Sequence, residues 1–360
     1  MATLRGSVVF AALAILATAC SAGAGTSSNS DGPNNGGSNG EGGSSGPGFG
    51  VGGNGEGAGV VSSCTDPTCV GATPQGNCDT GLAIDSANAM DGAKAIGLCK
   101  EYTEGTWGVK SASWVRSDGQ PLTGLLLDGK GILDKFGPIM PREGGAMLAI
   151  SSGAAREPGD AGFQDPGGYM KSNFEPHGAP PGYPKESPSC PGVTTGSPYD
   201  SAGLRLVIQT PTDAKSFSYE FDFYTYEFPG FICSTFNDFF VAMLNPKIST
   251  LPDGNISFDS QGNSVSVNAG FLQVCTAQTA GGKVFPCDLG PTELGGTGFE
   301  DHAATSWLQT KAPIEAPGTE ITLDFLIWDS GDEVLDSTTV IDHFLFAADG
   351  ATTGTTPVPE

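Results

Sequence analysis

Positive charge is scarce in this chain: 16 Lys and Arg stand against 40 Asp and Glu, a formal net charge of −24 over 360 residues. Such a surface repels nucleic-acid phosphates and anionic lipid, so no nucleic-acid role is expected. It attracts cations, and calcium is the obvious extracellular candidate. Histidine is rarer still, with only His177, His302 and His343. His177 lies in a Gly/Pro-rich segment and His343 in a candidate strand. His302 follows Glu300 and Asp301, the most reactive-looking neighbourhood of the three. No G-x-S-x-G elbow joins a strand to a helix, and no H-E-x-x-H helix is present. No stretch after residue 20 is long and apolar enough to cross a bilayer.

What is present begins with an export signal. Arg5, the apolar run from Val8 to Leu16, and Ala17-Thr18-Ala19 before Cys20 have the layout of a bacterial leader over residues 1–19. A cysteine directly after the small residues marks the lipoprotein variant, with Cys20 lipidated and anchoring the protein to a membrane. The alternative is cleavage that leaves Cys20 a free thiol. Ser21, rather than Asp, favours the outer membrane or cell surface.

Cysteine parity agrees with lipidation. Setting Cys20 aside leaves Cys64, Cys69, Cys78, Cys99, Cys190, Cys233, Cys275 and Cys287, an even set suited to disulfides in an exported protein. No second close Cys or His pair follows at zinc-finger spacing. Spacing does not dictate connectivity; joining neighbours gives 64–69, 78–99, 190–233 and 275–287.

Residues 20–60 are dominated by Gly, Ser and Asn, have no Lys or Arg, and read as a flexible tether too polar to bury a core. Residues 61–348 read as one large globular part, and residues 349–360 as a polar tail. Asp85 to Cys99 reads as one helix, with Asp85 at its N-cap and Ala89, Met90, Ala93 and Ile96 on one face. From Trp107 the pattern turns to β. Strand character covers 108–116, 146–150, 204–208, 217–223, 239–244, 264–268, 321–328 and 338–346. Residues 153–200 read as a long surface excursion. Many short strands between Gly, Pro and Asp turns indicate a mainly-β antiparallel sandwich or jelly roll.

Three motifs in residues 217–346 carry a family resemblance. The first is Phe223, Tyr224, Tyr226 and Glu227, then Asn237 and Asp238 ahead of Phe239 and Phe240. The second is Gly254-Asn255-Ile256 followed by Ser264 to Asn268. The third is Ile327-Trp328-Asp329-Ser330-Gly331-Asp332 with Leu335-Asp336-Ser337. Together they resemble the choice-of-anchor L domain of bacterial surface proteins, with Tyr226 standing where the family usually has the first of two acidic residues. The resemblance implies location and a β-rich fold rather than an activity.

Asp329, Asp332 and Asp336 form the best candidate site, in a loop where Gly331 permits the turn. With Glu227, Asn237 and Asp238 from neighbouring strand ends they could supply the six to eight oxygens calcium takes. Alternatively, the loop is a metal-free turn whose acidic side chains cap backbone N–H groups. Tyr224, Tyr226 and Trp328, with the other tryptophans, could form a sugar-stacking surface, although Trp328 suits the core equally. Tyr224 and Tyr226 lie opposite Phe221 and Phe223, so one pair should be more exposed.

The leading expectation is a non-catalytic, lipid-anchored surface protein whose β-sandwich binds an extracellular glycan or protein. The alternatives are a secreted calcium-dependent polysaccharide hydrolase using a carboxylate pair, and a purely structural envelope lipoprotein.

Overall fold

A computed structural model describes residues 68–70, 77–172 and 174–359, all within a unit running Gly55–Glu360. The leader, Cys20, the whole 20–60 segment read as a tether, and Cys64 lie outside the described residues.

The described residues carry one short α-helix, α1 (Ala89–Ala95), two 3-10 turns (Gly124–Gly129 and Thr292–Leu294) and, joined by long irregular segments, strands. In order these are β1 (Gly108–Trp114), β2 (Lys130–Leu133), β3 (Met147–Ser151), β4 (Pro198–Gln209), β5 (Ser216–Thr225), β6 (Phe239–Asn245) and β7 (Gln278–Ala280). They continue with β8 (Lys283–Phe285), β9 (Ala303–Ala304), β10 (Leu308–Pro313), β11 (Glu320–Ser330), β12 (Ser337–Ala347) and β13 (Gly354–Pro357). Two antiparallel sheets face each other, one in the order β1-β4-β11-β6 and the other β13-β10-β5-β12-β3-β2, with β9 beside β5. β7 and β8 form a separate hairpin. The expected mainly-β sandwich is the fold.

Alternation explains the core. Leu204, Leu206 and Ile208 of β4 and Leu323, Phe325 and Ile327 of β11 meet Phe217, Tyr219, Phe221 and Phe223 of β5, all buried. Each such side chain contributes about 1.5–3 kcal/mol by leaving water. The opposite faces are covered too. Phe136, Phe299 and Trp307 pack over Met147, Ala149, Tyr224 and Val340 outside the larger sheet. Tyr183 and Val115 pack over Phe239, Val241, Leu326 and Trp328 outside the smaller one. The central strands are therefore apolar on both faces, as the run 239–244 implied.

Several boundaries differ from the sequence reading. The helix starts after Asn88, not Asp85; the Asn88 side chain accepts from the Met90 N–H at 3.2 Å. The carbonyls of Asp85 and Ser86 instead accept hydrogen bonds from Lys130 Nζ at 2.9 and 2.8 Å, which holds that segment outside the helix. Residues 264–268 make only isolated bridges, because the chain turns where Ala269 N bonds Ser266 O at 3.1 Å. The closing residues, read as a polar tail, supply β13, which pairs Leu308↔Pro357 through Lys311↔Gly354 and adds an edge strand.

Disulfides join Cys78–Cys99, Cys190–Cys233 and Cys275–Cys287, each a pair of sequence neighbours. Cys69 is also disulfide-bonded. Such cross-linking belongs to an oxidising, extracytoplasmic compartment. Among the described residues no helix is long and apolar enough to cross a membrane.

Candidate metal centre

Strand register gathers the acidic residues. At one end of the sandwich Thr225, closing β5, pairs with Ser337, opening β12. In the other sheet Phe239, opening β6, pairs with Trp328 near the end of β11. Glu227 thus follows β5, Asp238 precedes β6, Asp329 is the penultimate residue of β11 and Asp336 precedes β12, all at the same end. Carboxylate oxygens of Glu227, Asp238 and Asp329 lie within 4.8 Å of one another, and all three residues are buried.

Few donors serve this group. Asp238 accepts from the Ser330 N–H at 3.2 Å and the Ser152 hydroxyl at 3.3 Å. Among the described residues, no N–H or hydroxyl donates to either oxygen of Asp329 or to Glu227 Oε2. Asn237, wholly buried beside Asp238 in the chain, leaves both carboxamide atoms without a partner. Burial raises the pKa of Glu227, Asp238 and Asp329, and their neighbours' charges, including that of Asp332, raise them further.

Asp332 is half-buried; its Oδ1 faces the Val334 N–H at 3.4 Å, and Gly331 takes the turn at φ +97°. Asp336 departs from the expected single loop site. It lies on the side of the cluster facing Lys171 and Asp200, both its oxygens are unbonded, and burial again raises its pKa. Its backbone stitches the site together, with Tyr226 N donating to Asp336 O at 3.0 Å and Asp336 N to Pro166 O at 2.8 Å.

Sequence reasoning missed three participants, Lys171, Asp200 and Ser152. Lys171 is buried; its Nζ donates to the carbonyls of Ser151 at 3.1 Å and Gly153 at 2.8 Å. Asp200 accepts from the Lys171 N–H at 2.6 Å. All three lie in or beside the Gly/Pro-rich stretch, where no periodicity signals burial.

The proposed stacking surface is not formed. Tyr224 is fully buried against Phe136 at 4.9 Å and Phe299 at 5.8 Å. Trp328 packs between Tyr183 and Phe239, its Nε1 donating to Ser330 Oγ at 3.0 Å. Trp107, Trp114 and Trp307 are buried as well. Only Tyr226 is partly open, stacked on His302 with ring centroids 3.4 Å apart. Tyr224 and Trp328 fail as ligand contacts because irregular segments cover both outer sheet faces.

Compared with known proteins, the chain matches no family model, and no curated protein matches it. The chemistry must be read from the site itself. Three converging carboxylates, with no cationic side chain bonded to them among the described residues, make a donor set of hard oxygens, which suits calcium better than a soft metal.

Proposed function

We propose that this protein is an exported, lipid-anchored binding module of the choice-of-anchor L type, non-catalytic, whose sandwich end is held by calcium. The observation that carries the reading is the convergence of Glu227, Asp238 and Asp329 in a buried site where Asp329 receives no hydrogen bond from an N–H or hydroxyl. Buried charge is costly unless paired, and a divalent cation would supply the missing partner. Asp332 stands beside the triad as a further oxygen donor, Asn237 adjoins Asp238 in the chain, and Asp336 adds negative charge. Glycosidase carboxylates flank an open substrate site, whereas this triad is sealed from solvent, which supports a structural role for the ion. The three motifs support the family resemblance, and Cys20 after the leader supports the lipid anchor.

The test is metal analysis of the purified protein with melting curves in chelator and in calcium. Bound calcium near one equivalent and a lower melting temperature in chelator are expected; metal-free protein with identical curves would remove the calcium reading. Mass spectrometry of the N-terminal peptide tests the anchor independently, with lipid on Cys20 expected and an unmodified Cys20 refuting it.

A further inference from the structure

Away from the acid cluster, the β7–β8 hairpin closes over a cavity of about 330 Å³, at the small end of the range of ligand sites. Its composition is unusual for so acidic a chain, because no carboxylate is among its lining residues and Lys283 is the one charged side chain there. Asp259, whose charge acts on Lys283, is turned inward. Its oxygens accept the backbone N–H groups of Gln261, Asn263 and Gly270 and the Asn263 side-chain amide, all at 2.7–2.9 Å. The cavity instead presents carboxamides. Gln273 is half-buried and its side chain makes no hydrogen bond among the described residues. Gln261 uses only Oε1, toward Ser189 Oγ at 3.1 Å, and Asn268 only Oδ1, toward the Cys233 N–H at 2.7 Å. Among the described residues, neither amide nitrogen has a partner. Leu272, Val284 and Phe285 supply an apolar wall, with Phe285 braced edge-on against Phe228 at 5.1 Å.

Two disulfides frame these walls. Ser189 adjoins Cys190, and Asn268 holds the backbone of its partner Cys233; Gln273 lies two residues before Cys275, and Phe285 two before Cys287. The donors are therefore set in place before a ligand arrives, which lowers the entropy cost of binding. Free carboxamides offer paired donors and acceptors to vicinal hydroxyls, while an apolar wall suits the C–H face of a sugar ring. A basic peptide would require carboxylates that this cavity lacks; the one charged lining residue, Lys283, directs its Nζ to Cys190 Sγ at 3.4 Å, and a polyanion is opposed by the net charge of −24.

We propose that this disulfide-framed cavity binds an uncharged oligosaccharide. The proposal names the ligand class of the binding module and rests on that reading, but it does not require the calcium site. The test titrates the full chain with cellohexaose, xylohexaose, mannohexaose and laminarihexaose by calorimetry, with polygalacturonate as the charged control. At least one neutral hexasaccharide should bind at millimolar concentration or below. Gln273→Ala removes the free carboxamide, and Val284→Asp sets a carboxylate on a side chain that is 77% exposed at the rim. Each should weaken binding by about tenfold or more at unchanged melting temperature. No binding of any neutral sugar, binding of polygalacturonate alone, or unaltered affinity in both variants would overturn the proposal. Metal content measured on the same samples separates the two readings: calcium without sugar binding overturns only this one, and sugar binding without calcium overturns only the metal.

Discussion

Replacing Asp329 by Asn should produce a change whose sign depends on the cation. Without metal, Asp329 sits unbonded among the carboxylates of Glu227, Asp238 and Asp332, and burial and mutual repulsion oppose its ionisation. Asparagine removes that charge while keeping the shape, so in chelator the variant should melt at the same temperature as the wild type or higher. With calcium the order should reverse. Binding to the folded state stabilises the wild type by RT ln(1 + [L]/Kd), about 2.7 kcal/mol at a hundredfold excess over Kd. Unfolding entropy of about 2.1 cal/mol/K per residue gives about 0.6 kcal/mol/K for a unit of this size, so the wild type should gain about 4–5 °C. Loss of one charged ligand that raises Kd tenfold removes about 1.4 kcal/mol, or about 2 °C, from the variant's gain. Scanning calorimetry of both proteins in chelator and in calcium reads the crossing directly. If the carboxyls instead share protons in a metal-free cluster, calcium shifts neither curve. If Asp329→Asn lowers the melting temperature equally in both buffers, Asp329 is only a structural hydrogen-bonding group and the reasoning fails.

Other groups make separate predictions. Burial pushes the pKa of Asp222 up to about 7, so the folded carboxyl keeps a proton that the unfolded chain releases near its ordinary value. Its contribution is present in acid and lost as pH rises toward 7; Asp222→Asn should flatten this slope and be more stable above neutrality by up to about 4 kcal/mol, measured by urea midpoints at fixed calcium. Wild-type stability that rises across that range without a matching change in the variant would contradict it. The Cys78–Cys99 disulfide, spanning a sequence separation of 21, should contribute about 3 kcal/mol through the unfolded state; the double alanine variant, followed by denaturant unfolding, should lose that much and remain folded. Trp328→Ala, removing a side chain that is 1% exposed, should cost about 3–5 kcal/mol without altering surface ligand binding. A near-neutral effect would show the indole to be a surface group after all.

Features set by local chemistry could be read from the sequence. Alternation at Leu204, Leu206 and Ile208 and from Phe217 to Phe223 marked strands, because side chains on a pleated chain fall on opposite faces every second residue. Asp, Ser and Gly after an apolar run marked the turn at Gly331, and the acidic residues there were nameable because turns favour those types. Tertiary structure alone decided which of them converge. Glu227 and Asp238 come from different sheets, and only the pairings Thr225↔Ser337 and Trp328↔Phe239 bring those strand ends to one place. It also decided that Tyr224 and Trp328 are core, because their covers, Phe136, Phe299 and Tyr183, come from irregular segments without a period to reveal them. The same holds for Lys171, buried by a Gly/Pro-rich excursion, and for β13, whose four residues become a strand only because β10 offers an open edge. Period and turn chemistry are written within a few neighbouring residues, whereas burial of an aromatic face and the meeting of carboxylates depend on residues a hundred positions apart.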